Sequence, residues 1–579
     1  MNLKNSYFLS GALLASATLC CAQQPADPVF DAMQAELKRS MSLSLQQLEK
    51  PYYVSYTIET GHQWGATAVM GGLLGASSQP FRYPAMQLRV GSYKFDQTNF
   101  AGGGRGASYS LSGFPLDDDP AVIRQYLWLQ TDSAYKASLD AIARKRSILR
   151  SVTVSDELPD FAPATPNKIL EDRPLVKFDD KTWNERTKRI SAIFNNSTNL
   201  RASVADYSAI DSIHRYVDSE GTVIRVPQSL GQFQIRASAQ AADGMIVRDS
   251  ALFYTNDLTK MPSEDELTRA AKTVAEQVTK IAAAPMGETY AGPVLFEGVA
   301  GPQLLAEVLG RNLHISRKLT GANGANTTEL EGRRGVRIMP EMFSVTDDPT
   351  LPLFGQTEVD DEGVSPKPIM IVEKGILKDF FRSRTPVRGY NESNGRALLG
   401  GTPAPTNLIV KSAETSSVSD LRKKMIDLCQ QRGLKYAIVV KKLDFPSTAA
   451  GDEIRRLAGG GAAAGRPVSM PLYVYKLYTD GHEEMIRGVK LRGVNARSLK
   501  DILAAGDDNN RLDYLENGVT FAQVGGGGAT AAVTVVAPSL LIDDLELAKM
   551  EDELPKLPVA TSPLLSQSAM PPASGGTAR

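Results

Sequence analysis

Apolar residues recur along this chain in two distinct rhythms. From Asp27 to Leu48, Phe30, Met33, Leu37, Met41 and Leu45 come every three or four positions, which predicts one amphipathic helix. Alternation follows in Tyr52–Ile58, Met86–Val90, Val204–Ile210, Ile213–Val217, Val223–Val226 and Phe233–Ser238, and each run predicts a strand with one buried face. After Pro262, Ser263 and Glu266 have the spacing of a capping box, in which each side chain satisfies the other's free backbone donor. The helix they open carries Leu267, Ala271, Val274, Val278 and Ile281 on one stripe, and Pro285-Met-Gly287 closes it. Strands overlaid by helices describe an α+β domain, placed at residues 23–285.

The second half, 286–550, is richer in strand and glycine. Val418–Arg432 has helical spacing through Leu421, Met425 and Leu428 and is stopped by Gly433. Tyr436–Val440 and Ala531–Val536 read as strands. Pro471–Tyr478 and Glu484–Val489 face each other across Thr479-Asp-Gly-His482, a hairpin signal. The expected architecture is a mostly antiparallel sheet or a barrel-like core. Pro, Ser, Ala and Gly then dominate, so 551–579 is expected to be a disordered tail.

The ends and the composition narrow the setting. Lys4, an apolar run from Phe8 to Leu19, and Cys20-Cys-Ala22 form the three parts of a secretory signal, so 1–22 is expected to be removed and the protein exported to the periplasm or beyond the cell. Leu19 before Cys20, and Cys20 before Cys21, fit a lipid-attachment site poorly, which argues against anchoring. Only Cys429 then remains, so no intrachain disulfide can form. Without Lys4 the chain holds 63 Lys and Arg against 65 Asp and Glu, a net charge of -2. Basic runs are short and scattered, which argues against nucleic acid, whose phosphates demand clustered cations. No second apolar run reaches membrane-spanning length.

The candidate chemistry centres on Pro302-Gln-Leu-Leu-Ala-Glu-Val-Leu-Gly-Arg-Asn-Leu-His314. In zinc peptidases a helix presents two His with a Glu beside them, the imidazoles holding the ion and the carboxylate taking a proton from bound water. Here Glu307 has Ala306 and Arg311 around it, and neither can give zinc a lone pair. The chain has four His. On a continuous helix His314 would share a face with Glu307 about 10 Å away, too far to hold one ion with it. His62, His214 and His482 read as structural. Glu307 alone, with no metal-bound water to activate, reads as vestigial or as a helix-surface charge. The run Asp360-Asp361-Glu362-Gly363 reads either as a tight turn, with Asp capping backbone donors and Gly at positive φ, or as part of a cleft or an interface. The glycine runs at 102–106, 459–461 and 525–528 lack the Lys-Ser/Thr of a phosphate loop.

The segment Gly292–Arg311, together with Val359-Asp-Asp-Glu-Gly-Val364, Ile369–Glu373, Ser383-Arg384, Asn394-Gly-Arg396 and Pro403, resembles the TldD/PmbA family of peptidases, with its TldD and TldE subunits. Asp218–Arg225 carries a looser likeness. Catalytic members have His-Glu-x-x-x-His where this chain has Ala306-Glu-Val-Leu-Gly-Arg311. They place a further Cys ligand near the C-terminus, where this chain has Val524–Gly528. The resemblance therefore implies a two-domain fold and a TldE-like, non-catalytic subunit that binds no cofactor itself. Zinc is expected only in a catalytic TldD-like paralogue, with which this chain would act on unfolded peptides as a hetero-oligomer, or alternatively as a homodimer. Asp360, Asp361, Glu362, Gly363 and His314 are its cleft or interface candidates. Two rivals stay open: an autonomous metallopeptidase with unusual ligands, and a peptide-binding or scaffold protein without peptidase activity.

Overall fold

The computed structural model describes residues 27–103, 109–110, 114–152, 158–197, 199–321, 328–398, 403–449, 468–517, 531–551 and 554–560. The expected signal peptide, the end of the first glycine run, the other two runs and residues 561–579 lie outside the described residues.

The first half builds one sheet from β1 (Pro51–Val69), β2 (Gly72–Val90), β3 (Tyr109–Ser110), β4 (Lys168–Leu170), β5 (Leu200–Asp218), β6 (Val223–Gln240) and β7 (Ile246–Thr255). Its order is β3-β2-β1-β5-β6-β4, with β7 also on β6. The strands are far longer than the alternation alone indicates. β5 runs through both Val204–Ile210 and Ile213–Val217, and β2 extends back from Met86–Val90 to Gly72. One face of the sheet carries Val54, Tyr56 and Ile58, packed under α1 (Pro28–Ser40) and α2 (Pro120–Leu149). Further along the same face, Trp64 and Ala66 pack under α3 (Asp180–Ala192) and α4 (Glu264–Ala283). The helix expected over Asp27–Leu48 stops at Ser40; Asp27 caps it by accepting from the Phe30 amide, and Leu45 and Leu48 are exposed. α4 has the capping box read from Ser263 and Glu266.

The second half contributes β8 (Tyr290–Phe296), β9 (Phe343–Asp347), β10 (Ile369–Glu373), β11 (Ile376–Leu377), β12 (Asn407–Ser412), β13 (Tyr436–Leu443), β14 (Pro471–Tyr478), β15 (Glu483–Ile486), β16 (Val489–Arg492), β17 (Ile502–Ala505), β18 (Asn510–Glu516), β19 (Ala531–Ala537) and β20 (Leu540–Lys549). They form two open sheets, β11-β10-β9-β12-β19-β18 and β15-β14-β13-β8-β20-β16, with β17 on β20. Most pairings are antiparallel; β12 with β19 and β13 with β8 are parallel. The open sheets give the antiparallel form of the expected architecture, not a closed barrel.

α5 (Ala300–Val308) lies in the core that both sheets share, and all nine of its residues are buried. A helix apolar on every side belongs inside a fold. β8 shows the same logic: Val294 and Phe296 face α5, while Leu295 faces α6 (Val418–Arg432) on the outside. α6 ends at Gly433 with φ of 68°, as its sequence indicates. Of the expected tail, Pro555 is held by a 3.2 Å bond from Gln240 Nε2. No helix among the described residues is long and apolar enough to cross a membrane.

Candidate functional site

Glu307 is not a surface charge. It is 8% exposed, between the two sheets, where an unpaired carboxylate would be costly. Ser469, just before β14, answers it with its amide and its hydroxyl, both at 2.9 Å. On the same helix Gln303 accepts from the Leu443 amide at 2.8 Å and donates to the Leu443 and Phe445 carbonyls, fixing the end of β13.

The helix also breaks sooner than a continuous reading requires. α5 ends at Val308, and a 3₁₀ turn, Gly310–Asn312, carries Arg311. The Arg311 guanidinium is 3.6 Å from Glu516 at the end of β18 and lies over the Phe445 ring at 5.3 Å. His314 lies past the turn, bridged to Phe381, and does not share a helical face with Glu307. The zinc that the resemblance implies does not fit these residues. Ala306, fully buried, offers no donor atom, and Arg311 sets a fixed positive charge that would repel a dication. Among the described residues no group of three or more His, Cys, Asp or Glu is placed to hold a metal ion. Val524–Gly528 lies outside the described residues. Cys429, on the inner face of α6, is buried against β8 and β13, and burial pushes its thiol up.

The acidic run forms a tight turn and also meets the first half of the chain. As a turn, Asp360 Oδ1 accepts from the Glu362 and Val364 amides at 3.0 and 2.9 Å, and Oδ2 from the Ala397 amide at 2.9 Å. Gly363 has φ of 78°, and a Cβ there would meet Tyr216 at 2.7 Å. Beyond the turn, the run joins the two halves of this chain. Glu362 accepts from the Arg384 amide at 2.6 Å, and its carbonyl accepts from the Tyr216 hydroxyl at 3.2 Å. Arg384 crosses to the first half, donating to the Ala162 carbonyl at 2.9 Å and to Glu220 at 2.7 Å, with its guanidinium 4.1 Å from the centre of the Phe161 ring. Asp218 caps the turn that presents Glu220. The looser Asp218–Arg225 likeness and the Asp360 run thus meet at one buried polar seam. Burial, with Glu362 close by, pushes Asp360 up to about 8. Glu362 is raised by burial against the pull of Arg384. Arg396 of the Asn-Gly-Arg run is fully buried and donates to Asp347 at 2.9 Å.

Beside the seam opens a cavity of about 890 Å³ between the first sheet and the β18–β19 end of the second. Glu59, Tyr83, His214, Asp360, Asp361 and Leu515 are among its lining residues; Ala306, Arg311 and His314 are not. Glu59 is directly opposite His214 on β5 and Tyr83 on β2, so the three share a face. Leu515 lines the cavity while its neighbour Glu516 meets Arg311, so the strand alternation sets the α5 cluster on the other side of β18. Burial, with Arg215 adjacent, lowers His214 to about 4. His62 bonds Ser78 at 3.0 Å and His482 bonds Asp480 at 2.6 Å. Glu59, Ser469 and Glu516 were not singled out by their local sequence. For the buried setting of Glu307 a signal existed, since Leu304, Leu305, Ala306, Val308 and Leu309 surround it with apolar positions.

Residues 289–443 match the family model described as the PmbA/TldA metallopeptidase C-terminal domain. A metalloprotease of Archaeoglobus fulgidus is 33% identical over 142 residues, 24% of this chain and 31% of that protein. A metalloprotease of Methanothermobacter thermautotrophicus is 26% identical over 211 residues, 35% of this chain and 44% of its own length. The chain therefore spans under half the length of these relatives. The fold is similar to that of TldE from Thermococcus kodakarensis, with TM-score 0.57 and 13% identity over 89% of this chain and 100% of that one. A Thermotoga maritima protein described as a candidate modulator of a DNA gyrase gives TM-score 0.57 at 15% identity, over 86% and 96%. The domain match and the metalloprotease relatives agree that this chain belongs to the TldD/PmbA family, and the solved structures share its fold.

Proposed function

We propose that this chain is a non-catalytic, TldE-like subunit of an exported peptidase complex that acts on unfolded peptides. One observation carries the reading: at the positions of the family's two histidines stand a buried alanine and an arginine paired with Glu516, while the Glu between them is bonded to Ser469. A carboxylate engaged by two donors, with a guanidinium nearby and no donor atom in place of the imidazoles, is arranged for packing. In this reading the zinc sits in a TldD-like paralogue, and this chain supplies part of the enclosing wall. The signal-like first 22 residues support a site of action outside the cytoplasm.

The test is affinity capture of the tagged chain from the exported fraction of its own cells. Recovery of a paralogue with an intact His-Glu-x-x-x-His supports the proposal. Recovery of peptides with no such paralogue contradicts the subunit role.

A further inference from the structure

We propose that the 890 Å³ cavity, together with a second cavity further along the same strand, receives an extended peptide bearing a lysine or arginine whose cationic head is placed against Glu59. The proposal rests on the peptide reading above and adds the class of side chain selected.

Shape supports an extended ligand. Glu59 lies on the face of β1 turned away from the helices, and Gln63, Gly65 and Thr67 follow on that same face. These three line a second, more open cavity of about 680 Å³, together with Ala76, Asp206 and Ser208. The path from Glu59 to Thr67 is about 26 Å, the length of roughly eight extended residues. Gly65 carries no side chain, so the floor of the second cavity stays low, while Gly61, opposite the buried Phe81, lies between the two cavities.

Charge supports a cation. Glu59 and Asp361 line the larger cavity, beside an Asp360 that keeps its proton at neutral pH, and the only Lys or Arg among the described lining residues is Arg396, whose guanidinium is engaged with Asp347. His214, opposite Glu59, is held neutral at ordinary pH, and Asp206 in the second cavity is matched by Arg236. Glu59 accepts from Ser212 Oγ at 2.7 Å, and a carboxylate has further lone pairs for a charge-assisted bond. Burial raises its pKa, which a cation bound beside it would reverse.

The experiment measures fluorescence anisotropy of the full chain with eight-residue Gly/Ser peptides, labelled at one end and carrying Lys, norleucine or Glu at the centre. The Lys peptide is expected to bind about tenfold tighter than the norleucine peptide, the effect of one charge-assisted bond. Glu59→Gln should bring the two within about twofold, and Glu59→Lys should turn the preference toward the Glu peptide. Equal binding of Lys and norleucine peptides by the unaltered chain, or a Lys preference that survives both variants, overturns the proposal and leaves the peptide reading intact. Binding of none of the peptides, by the chain alone or with a captured paralogue, overturns both.

Discussion

Ser469 donates both its amide and its hydroxyl to the carboxylate of Glu307, 162 residues away in sequence, each at 2.9 Å. The residue that aligns with the family's catalytic base is thereby a tie between α5 and the segment leading into β14. Removing the hydroxyl leaves a buried carboxylate short of one donor, at a cost of about 1–3 kcal/mol. Ser469→Ala should therefore lower the thermal unfolding midpoint, read by circular dichroism. An unchanged midpoint would show that the bond contributes nothing to the fold.

Arg384 is the main link across the seam, with bonds to Ala162 and Glu220 on one side and its amide on Glu362 on the other. Arg384→Met keeps much of the side chain's length and the amide bond to Glu362 but leaves Glu220 without its cation. Breaking a buried pair in this way costs about 3–5 kcal/mol. The expected readout is faster limited proteolysis, with early cuts that separate the two halves. Cleavage at the rate of the unaltered chain would contradict the assignment.

The Asp360–Glu362 pair makes a pH prediction with a definite sign. The folded pKa of Asp360 is raised from 3.8 to about 8, so between these values the folded chain keeps a proton that the unfolded chain has lost. Stability tied to this proton is present at low pH and falls as pH climbs through that window, by up to about 1.4 kcal/mol per unit. Asp360→Asn cannot ionise and should flatten the decline between pH 5 and pH 8, even though it weakens the bond from the Ala397 amide. A slope identical to that of the unaltered chain would exclude Asp360 as its source.

Local signals are a sound guide where local chemistry decides the structure. The Ser263–Glu266 box, Gly433 and the Thr479–His482 turn each satisfy backbone groups within a few residues, and each stands where expected. The sequence misled where a distant partner decides. Asp211 and Ser212 interrupt the alternation of β5, yet Asp211 is buried and paired with Arg173, so the strand continues through them. α2 has Thr131, Ser138 and Lys145 on its buried side, the last paired with Asp160, and its apolar stripe is correspondingly weak. β2 from Gly72 to Pro80 is exposed throughout, which removes the alternation a strand reading depends on. At the site, the absence of donor atoms at Ala306 and Arg311 was plain in the sequence. The engagement of Glu307 by Ser469 and of Arg311 by Glu516 spans more than 160 residues in each case and needed the fold.

The central claim is that this chain does not itself hold the family's metal. The most direct measurement is the zinc content of the full-length protein, produced in zinc-supplemented medium, dialysed against metal-free buffer and analysed by inductively coupled plasma mass spectrometry. The account predicts zinc far below one atom per chain. About one tightly held zinc per chain would contradict it.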